Sequence, residues 1–142
     1  MTKNYKLEND VQVMCVTATS FPDGVMNAYQ KLQSIVMDSK ERRYFGISHP
    51  IQDGSILYKA CTEQKYENEA DQLGLELFTI KAGNFASIYI ENHMQDPQSI
   101  GKAFQELLKN PNIDQQGYCL EIYKNFEDKD VLCLVALKQP IN

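Results

Sequence analysis

The sequence predicts an α+β fold: two βαββ units, related by a pseudo-two-fold, share an antiparallel sheet with two helices and leave a seam between the repeats. Three observations lead there. Two stretches carry apolar residues at intervals of three and four, the spacing of a helix with one buried face. Seven others read as strands bounded by turn residues. The second half of the chain also repeats the first at an offset of 75 residues.

In chain order, a strand is expected over about 10–18. The first helix falls in PDGVMNAYQKLQSIV, where Val25, Ala28, Tyr29, Leu32, Ile35 and Val36 make one apolar face. Strands at 43–48 and 56–63 follow, joined through QDGS. The polar, acidic KYENEADQLG (65–74) reads as a connector. Strands over 77–81 and 85–91 are separated by Gly83–Asn84, a bend or bulge signal. The second helix falls in DPQSIGKAFQELLKN, with Ile100, Ala103, Phe104, Leu107 and Leu108 as its face. Asp96 is its expected N-cap, and Pro111 helps to end it. Strands at 118–124 and 131–138 close the chain around the turn EDKD.

The repeat is read from register. AYQKL (28–32) lies on AFQEL (103–107), and Pro22 on Pro97. Phe45, Gly46 and Ile47 lie on Leu120, Glu121 and Ile122, and Ile56–Leu57 on Val131–Leu132. The expectation is a single domain of two repeats, about 1–67 and 76–142. One helix covers one face of each small sheet; the other face must meet the partner repeat or solvent. The seam between such units is a favoured place for a small ligand.

The formal net charge of −5 argues against direct contact with nucleic acid, which needs a basic face, and suits cationic ligands. The four cysteines, Cys15, Cys61, Cys119 and Cys133, form no CxxC pair and sit in apolar runs, so buried free thiols are expected. His49 and His93 stand alone, and neither metal nor cofactor is expected. No apolar run approaches a membrane span. MTKNYKLEND lacks an apolar core of the kind that opens a secretory signal, so a cytoplasmic location away from membranes is expected.

Glu121 carries the functional question. It stands between Leu120 and Ile122 in GYCLEIYKN. Side chains alternate along a strand, so Leu120 and Ile122, like Phe45 and Ile47, are expected beneath the helix. Glu121, with Cys119 and Tyr123, is then expected on the face away from it, towards the seam or solvent. Its counterpart Gly46 offers space where Glu121 offers charge. Three environments are open: a solvated place on a wet face, a structural ion pair, or a functional carboxylate. Among aromatic rings such a carboxylate would bind an organic cation, because it supplies counter-charge while ring faces add cation–π attraction. Tyr58, Tyr89 and Phe85, on strands of both halves, are the further candidates to line the seam. The chain has no tryptophan, so any aromatic cage must use tyrosine and phenylalanine.

Three segments, YFGIS (44–48), TIKAGNFASIYI (79–90) and CLEIY (119–123), give the chain a resemblance to the GyrI-like effector-binding domains. These occur alone or behind the DNA-binding domains of bacterial multidrug-responsive regulators. The resemblance spans essentially the whole chain. It implies a duplicated βαββ fold whose groove takes lipophilic, often cationic, aromatic compounds. Glu121 matches the acidic residue of that groove and Tyr123 the motif tyrosine. ENHMQDP stands where the family commonly has a His-X-Gly ending, which alters the expected rim. The leading expectation is therefore a stand-alone, non-catalytic binder of lipophilic cations with Glu121 as counter-charge. The alternatives are a small-molecule hydrolase using Glu121 as general base and Tyr123 as donor, or a protein-interaction role with DNA gyrase or a regulator as partner.

Overall fold

The structure is a computed structural model that describes residues 2–139. Eight strands form one antiparallel sheet: β1 (Lys3–Leu7), β2 (Val11–Thr17), β3 (Tyr44–Pro50), β4 (Ile56–Glu63), β5 (Glu76–Ile80), β6 (Gly83–Ile90), β7 (Cys119–Tyr123) and β8 (Val131–Ala136). The helices are α1 (Val25–Ile35), α2 (Glu69–Leu73) and α3 (Ser99–Leu107).

The strand order β1-β6-β8-β7-β3-β4-β2-β5 reads as two halves facing each other across the β7–β3 junction. Each half contains one βαββ unit. Its outer edge is supplied by the other end of the duplication: β1 pairs with β6, and β5 with β2. The strand β1 has no counterpart in the sequence expectation. Its KNYKL is largely exposed, with only Tyr5 and Leu7 partly covered, too little alternation to read as a strand. The Gly83–Asn84 signal marks the place where the chain leaves β5 and starts β6 on the opposite half of the sheet. The short helix α2 lies inside the expected connector. Arg42, fully buried, holds it by a two-pronged ion pair to Glu69, whose carboxylate also accepts the amide of Lys65.

Asp96 works one turn earlier than a cap on α3, accepting the amide of Gln98 at 3.0 Å, while Gln98 is the N-cap residue. The helices α1 and α3 obey the predicted periodicity. Ala28, Tyr29 and Leu32 are buried on α1, and Ala103 and Leu107 on α3. The first helix packs on β4 and β2, the second on β8 and β6, so the central strands β3 and β7 run beneath the space between them.

The sheet curls into a half-barrel. Phe78 on edge strand β5 meets Tyr118, just before β7, with ring centroids 5.4 Å apart, although three strands intervene. Inside that curl lie Val13, Phe45, Ile47, Ile80, Phe85, Leu120 and Leu134, with no helix residue among them. This corrects the predicted facing. Phe45, Ile47, Leu120 and Ile122 are not under the helices; they fill the inside of the curl. The helix-bearing face carries Tyr44, Tyr58 and Ala60 in one half and Ala86, Val131, Cys133 and Val135 in the other. Both faces are apolar because one meets helices and the other meets the sheet itself. Alternation separates two faces but does not say which of them the helix covers.

The two-fold relation can be placed to the residue. The offset of 75 that puts Ala28 on Ala103 and Leu32 on Leu107 also puts Gly46 on Glu121, and these two are direct partners in the β3–β7 pairing. The pseudo-two-fold therefore passes between them. The repeat is not gapless beyond that point. Gly46 pairs with Ala60 and Glu121 with Cys133, so the last strands correspond at an offset of 73. The slip is even and preserves every side chain's face.

Candidate functional site

Glu121 lies on the helix-bearing face, at the axis, and is 6% exposed. Strand register sets its surroundings. Ala60, Gly46, Glu121 and Cys133 form one row across the sheet, and Tyr58, Ser48, Cys119 and Val135 the next. Gly46 is required here. A Cβ at that position would overlap the Tyr58 hydroxyl and stand 3.0 Å from the Glu121 carboxyl carbon. Equivalent residues beside a two-fold axis face each other, so two large side chains would collide there. The small partner and the single acid follow from that geometry.

The carboxylate is held by tyrosines. Tyr123 Oη donates to Oε1 at 2.6 Å, and Tyr58 Oη contacts the same oxygen at 3.2 Å. Tyr58 Oη is in turn 2.8 Å from Tyr29 Oη, which donates to the Phe45 carbonyl at 3.0 Å. The rings of Tyr29 and Tyr58 meet edge to face at 6.1 Å, those of Tyr29 and Tyr123 at 6.4 Å. Two loops close over this cluster from opposite sides. Phe21, between β2 and α1, stacks on Tyr58 with centroids 5.8 Å apart and an interplanar angle of 22°. His93, between β6 and α3, meets Tyr123 edge-on at 5.7 Å.

Among the described residues, no lysine or arginine pairs with Glu121. Both of its hydrogen-bonding contacts use Oε1. None of the fully buried side-chain oxygens or nitrogens described lacks a partner. Oε2, which has none, is therefore the oxygen that solvent reaches. Burial pushes the carboxyl above the usual glutamate range, against the pull of the Tyr123 and Tyr58 hydrogen bonds. The same burial, with the Glu121 charge, raises the phenols of Tyr58 and Tyr123 and moves the Cys119 thiol up to about 11. The site is therefore one acid in a poorly solvated aromatic cluster, with one oxygen free of protein donors and open to solvent. Among the described residues it has no basic group that would neutralise it from within.

The structure brings Glu121, Tyr123, Tyr58, Cys119 and Gly46 together. It does not bring the other two expected residues to them. Phe85 is buried inside the curl, on the opposite face of the sheet. Tyr89 is 50% exposed and donates to Asp130 at 2.7 Å. Both were expected to line the seam, and odd-numbered positions of β6 point away from the helices. Tyr29 and Phe21 were not expected at the site. Tyr29 carried a signal: a hydroxyl in the apolar face of a helix must find a polar partner once buried. Phe21 carried none, because its position depends on the path of a loop. A hollow of about 540 Å³ lies elsewhere, lined by residues 5–12 with Arg43, Glu63 and Gln64. Around Glu121 the rings of Phe21, Tyr58, Tyr29 and Tyr123 pack on one another.

Eight antiparallel strands in a curled half-barrel with three helices are consistent with a GyrI-like fold. Three solved structures share it over nearly their full length. SAV2435, solved bound to tetraphenylphosphonium, aligns with a TM-score of 0.67 at 11% identity, covering 97% of this chain and 94% of that one. The integron cassette protein VCH_CASS2 from Vibrio cholerae aligns at 0.63 and 15%, covering 96% and 95%. A putative transcription regulation protein from Staphylococcus aureus MU50 aligns at 0.57 and 9%, covering 97% and 98%. No family model matches the sequence, and no curated protein matches it. Among the described residues no helix is long and apolar enough to cross a membrane.

Proposed function

We propose that this protein binds lipophilic organic cations at the seam between its repeats, with Glu121 as counter-charge. The Tyr58, Tyr123, Tyr29 and Phe21 rings form the walls. One observation carries the reading: a buried carboxylate with no basic partner among the described residues and one oxygen open to solvent, ringed by aromatic side chains. A buried charge is costly unless paired, and none of the described residues supplies the cation that would pair it. Aromatic faces favour one whose charge is spread over an apolar body, because they replace its weak hydration with dispersion and cation–π attraction. A small, strongly hydrated cation would lose more than the site returns. The shared fold of a protein solved with tetraphenylphosphonium supports this ligand class.

Entry requires Phe21 or the Tyr123–His93 pair to move. Phe21 and His93 lie between strand and helix, outside the sheet, and Phe21 is 47% exposed, so displacing it uncovers the site without opening the core. The test is titration of tetraphenylphosphonium against the native protein and Glu121→Gln, which keeps the shape and removes the charge. Affinity should fall by about 2–5 kcal/mol, the usual cost of removing one partner of a desolvated charge pair. Triphenylphosphine oxide, uncharged and similarly shaped, should bind both proteins equally. Equal affinity of the cation for both would refute the assignment.

A further inference from the structure

We infer that the unliganded protein holds Glu121 as a neutral acid, the first donor of a hydroxyl chain, and that a permanent cation enters the site in exchange for that proton. The inference rests on the cation-binding reading and assigns its coupling to pH.

The argument is a count of protons. The chain runs from Glu121 Oε1 to Tyr58 Oη, on to Tyr29 Oη, and ends on the Phe45 carbonyl. Its three contacts measure 3.2, 2.8 and 3.0 Å. Each needs one hydrogen. The two phenols supply one apiece, and a carbonyl supplies none. With Glu121 ionised, one contact must lack its hydrogen. Either Tyr58 turns to Tyr29 and leaves the buried carboxylate Tyr123 alone as donor, or Tyr29 turns to Tyr58 and abandons the Phe45 carbonyl, or two hydroxyl oxygens face each other at 2.8 Å. With Glu121 protonated, every contact is filled: Glu121 donates to Tyr58, Tyr58 to Tyr29, and Tyr29 to Phe45. Tyr123 still donates to the carboxyl from the other side.

The titratable groups around the carboxyl do not oppose this. Tyr58 comes from β4, Tyr29 from α1, Tyr123 and Cys119 from β7, and Cys133 from β8. All five have their ionisation pushed upward by burial, so none carries charge near neutrality. His93 reaches the site only through the Tyr123 ring. Among the described residues, no neighbour therefore compensates an ionised Glu121 before a ligand arrives.

An incoming quaternary phosphonium or ammonium ion supplies that compensation at Oε2. The carboxyl O–H bond breaks, the proton passes to solvent, and the carboxylate keeps the electron pair. Tyr58 then turns its hydroxyl to donate to Glu121. Charge within the site is conserved, with one positive charge leaving as another enters. Linkage gives the signature. Affinity for a permanent cation rises about tenfold per pH unit between the occupied and empty pKa values of Glu121, then levels off.

Two measurements test this. In the free protein, ¹³C NMR of the glutamate side-chain carboxyls should show one resonance that titrates above the rest and is missing from Glu121→Gln. In calorimetry, tetraphenylphosphonium is titrated into the full chain in buffers of different ionisation enthalpy at one pH. Nearly one proton should be released on the acid side of that titration, falling towards zero above it. Glu121→Gln should release none. A Glu121 resonance that titrates with the surface glutamates overturns the inference even if the cation binds. So does binding that releases no proton and keeps one affinity across the range. A late-titrating Glu121 with no cation binding overturns the cation reading itself, and the exchange with it.

Discussion

Replacing Gly46 by alanine isolates the contact that makes the site asymmetric. Gly46 has ordinary strand backbone, outside the left-handed region, so alanine costs nothing in torsion. Strand alanine even lowers the entropy of the unfolded chain, worth about 0.4–1 kcal/mol in its favour. The opposing effect is steric. The new methyl would overlap the Tyr58 hydroxyl and press on the Glu121 carboxyl carbon at 3.0 Å. Tyr58 is 3% exposed and its hydroxyl is tied to Tyr29 and Glu121, so it has little room to retreat. Overpacking of this kind costs about 1–3 kcal/mol, leaving a net loss of about 1–2 kcal/mol in G46A. Urea unfolding reads it as a lower midpoint at unchanged m. The decisive comparison is the double variant. Tyr58→Phe alone loses hydrogen bonds worth about 0.5–1.5 kcal/mol, yet it removes the oxygen that the methyl meets. G46A/Y58F should therefore be more stable than the sum of the single effects predicts, by about 1 kcal/mol. Additivity within about 0.3–0.5 kcal/mol, or a G46A as stable as the parent, would refute the packing argument and the placement of the axis with it.

Two further outcomes are expected. The stability of the free protein should depend on pH through Glu121. Burial raises its pKa in the folded state, so its favourable contribution is complete below the ordinary glutamate value of the unfolded chain and is lost as pH rises through the raised one. Thermal unfolding from acid to neutral pH should show the native protein losing stability relative to Glu121→Gln; parallel curves would mean that the acid titrates normally. Removing the ring that roofs Tyr58, as Phe21→Ala, should weaken tetraphenylphosphonium by about 0.5–2 kcal/mol, the worth of an aromatic face to a cation. Because Phe21 is half exposed, its loss should shift the urea midpoint little. A large stability loss with unchanged affinity would place Phe21 in the core rather than at the site.

The sequence by itself determined what depends on neighbours a few residues apart. The helical faces of 25–36 and 100–108, the strands from β2 to β8, the duplication and the odd acid at the position equivalent to Gly46 are all written in local periodicity and register. The tertiary structure decided what depends on residues distant in the chain. The first strand was invisible because its pairing with β6 lies some eighty residues away, and edge pairing uses backbone atoms that leave little trace in side chains. The face on which Glu121 sits was not legible. The curled sheet buries both sides in apolar surroundings, and alternation is the same whichever side the helices choose. Tyr58 meets Glu121 across 63 residues, and Phe85 and Tyr89 fall away from it because the strand phase of β6 was set by partners the sequence does not name. A carboxylate's type is local information. Its burial, its hydrogen-bond donors and its want of a basic partner are properties of the space that the folded chain closes around it.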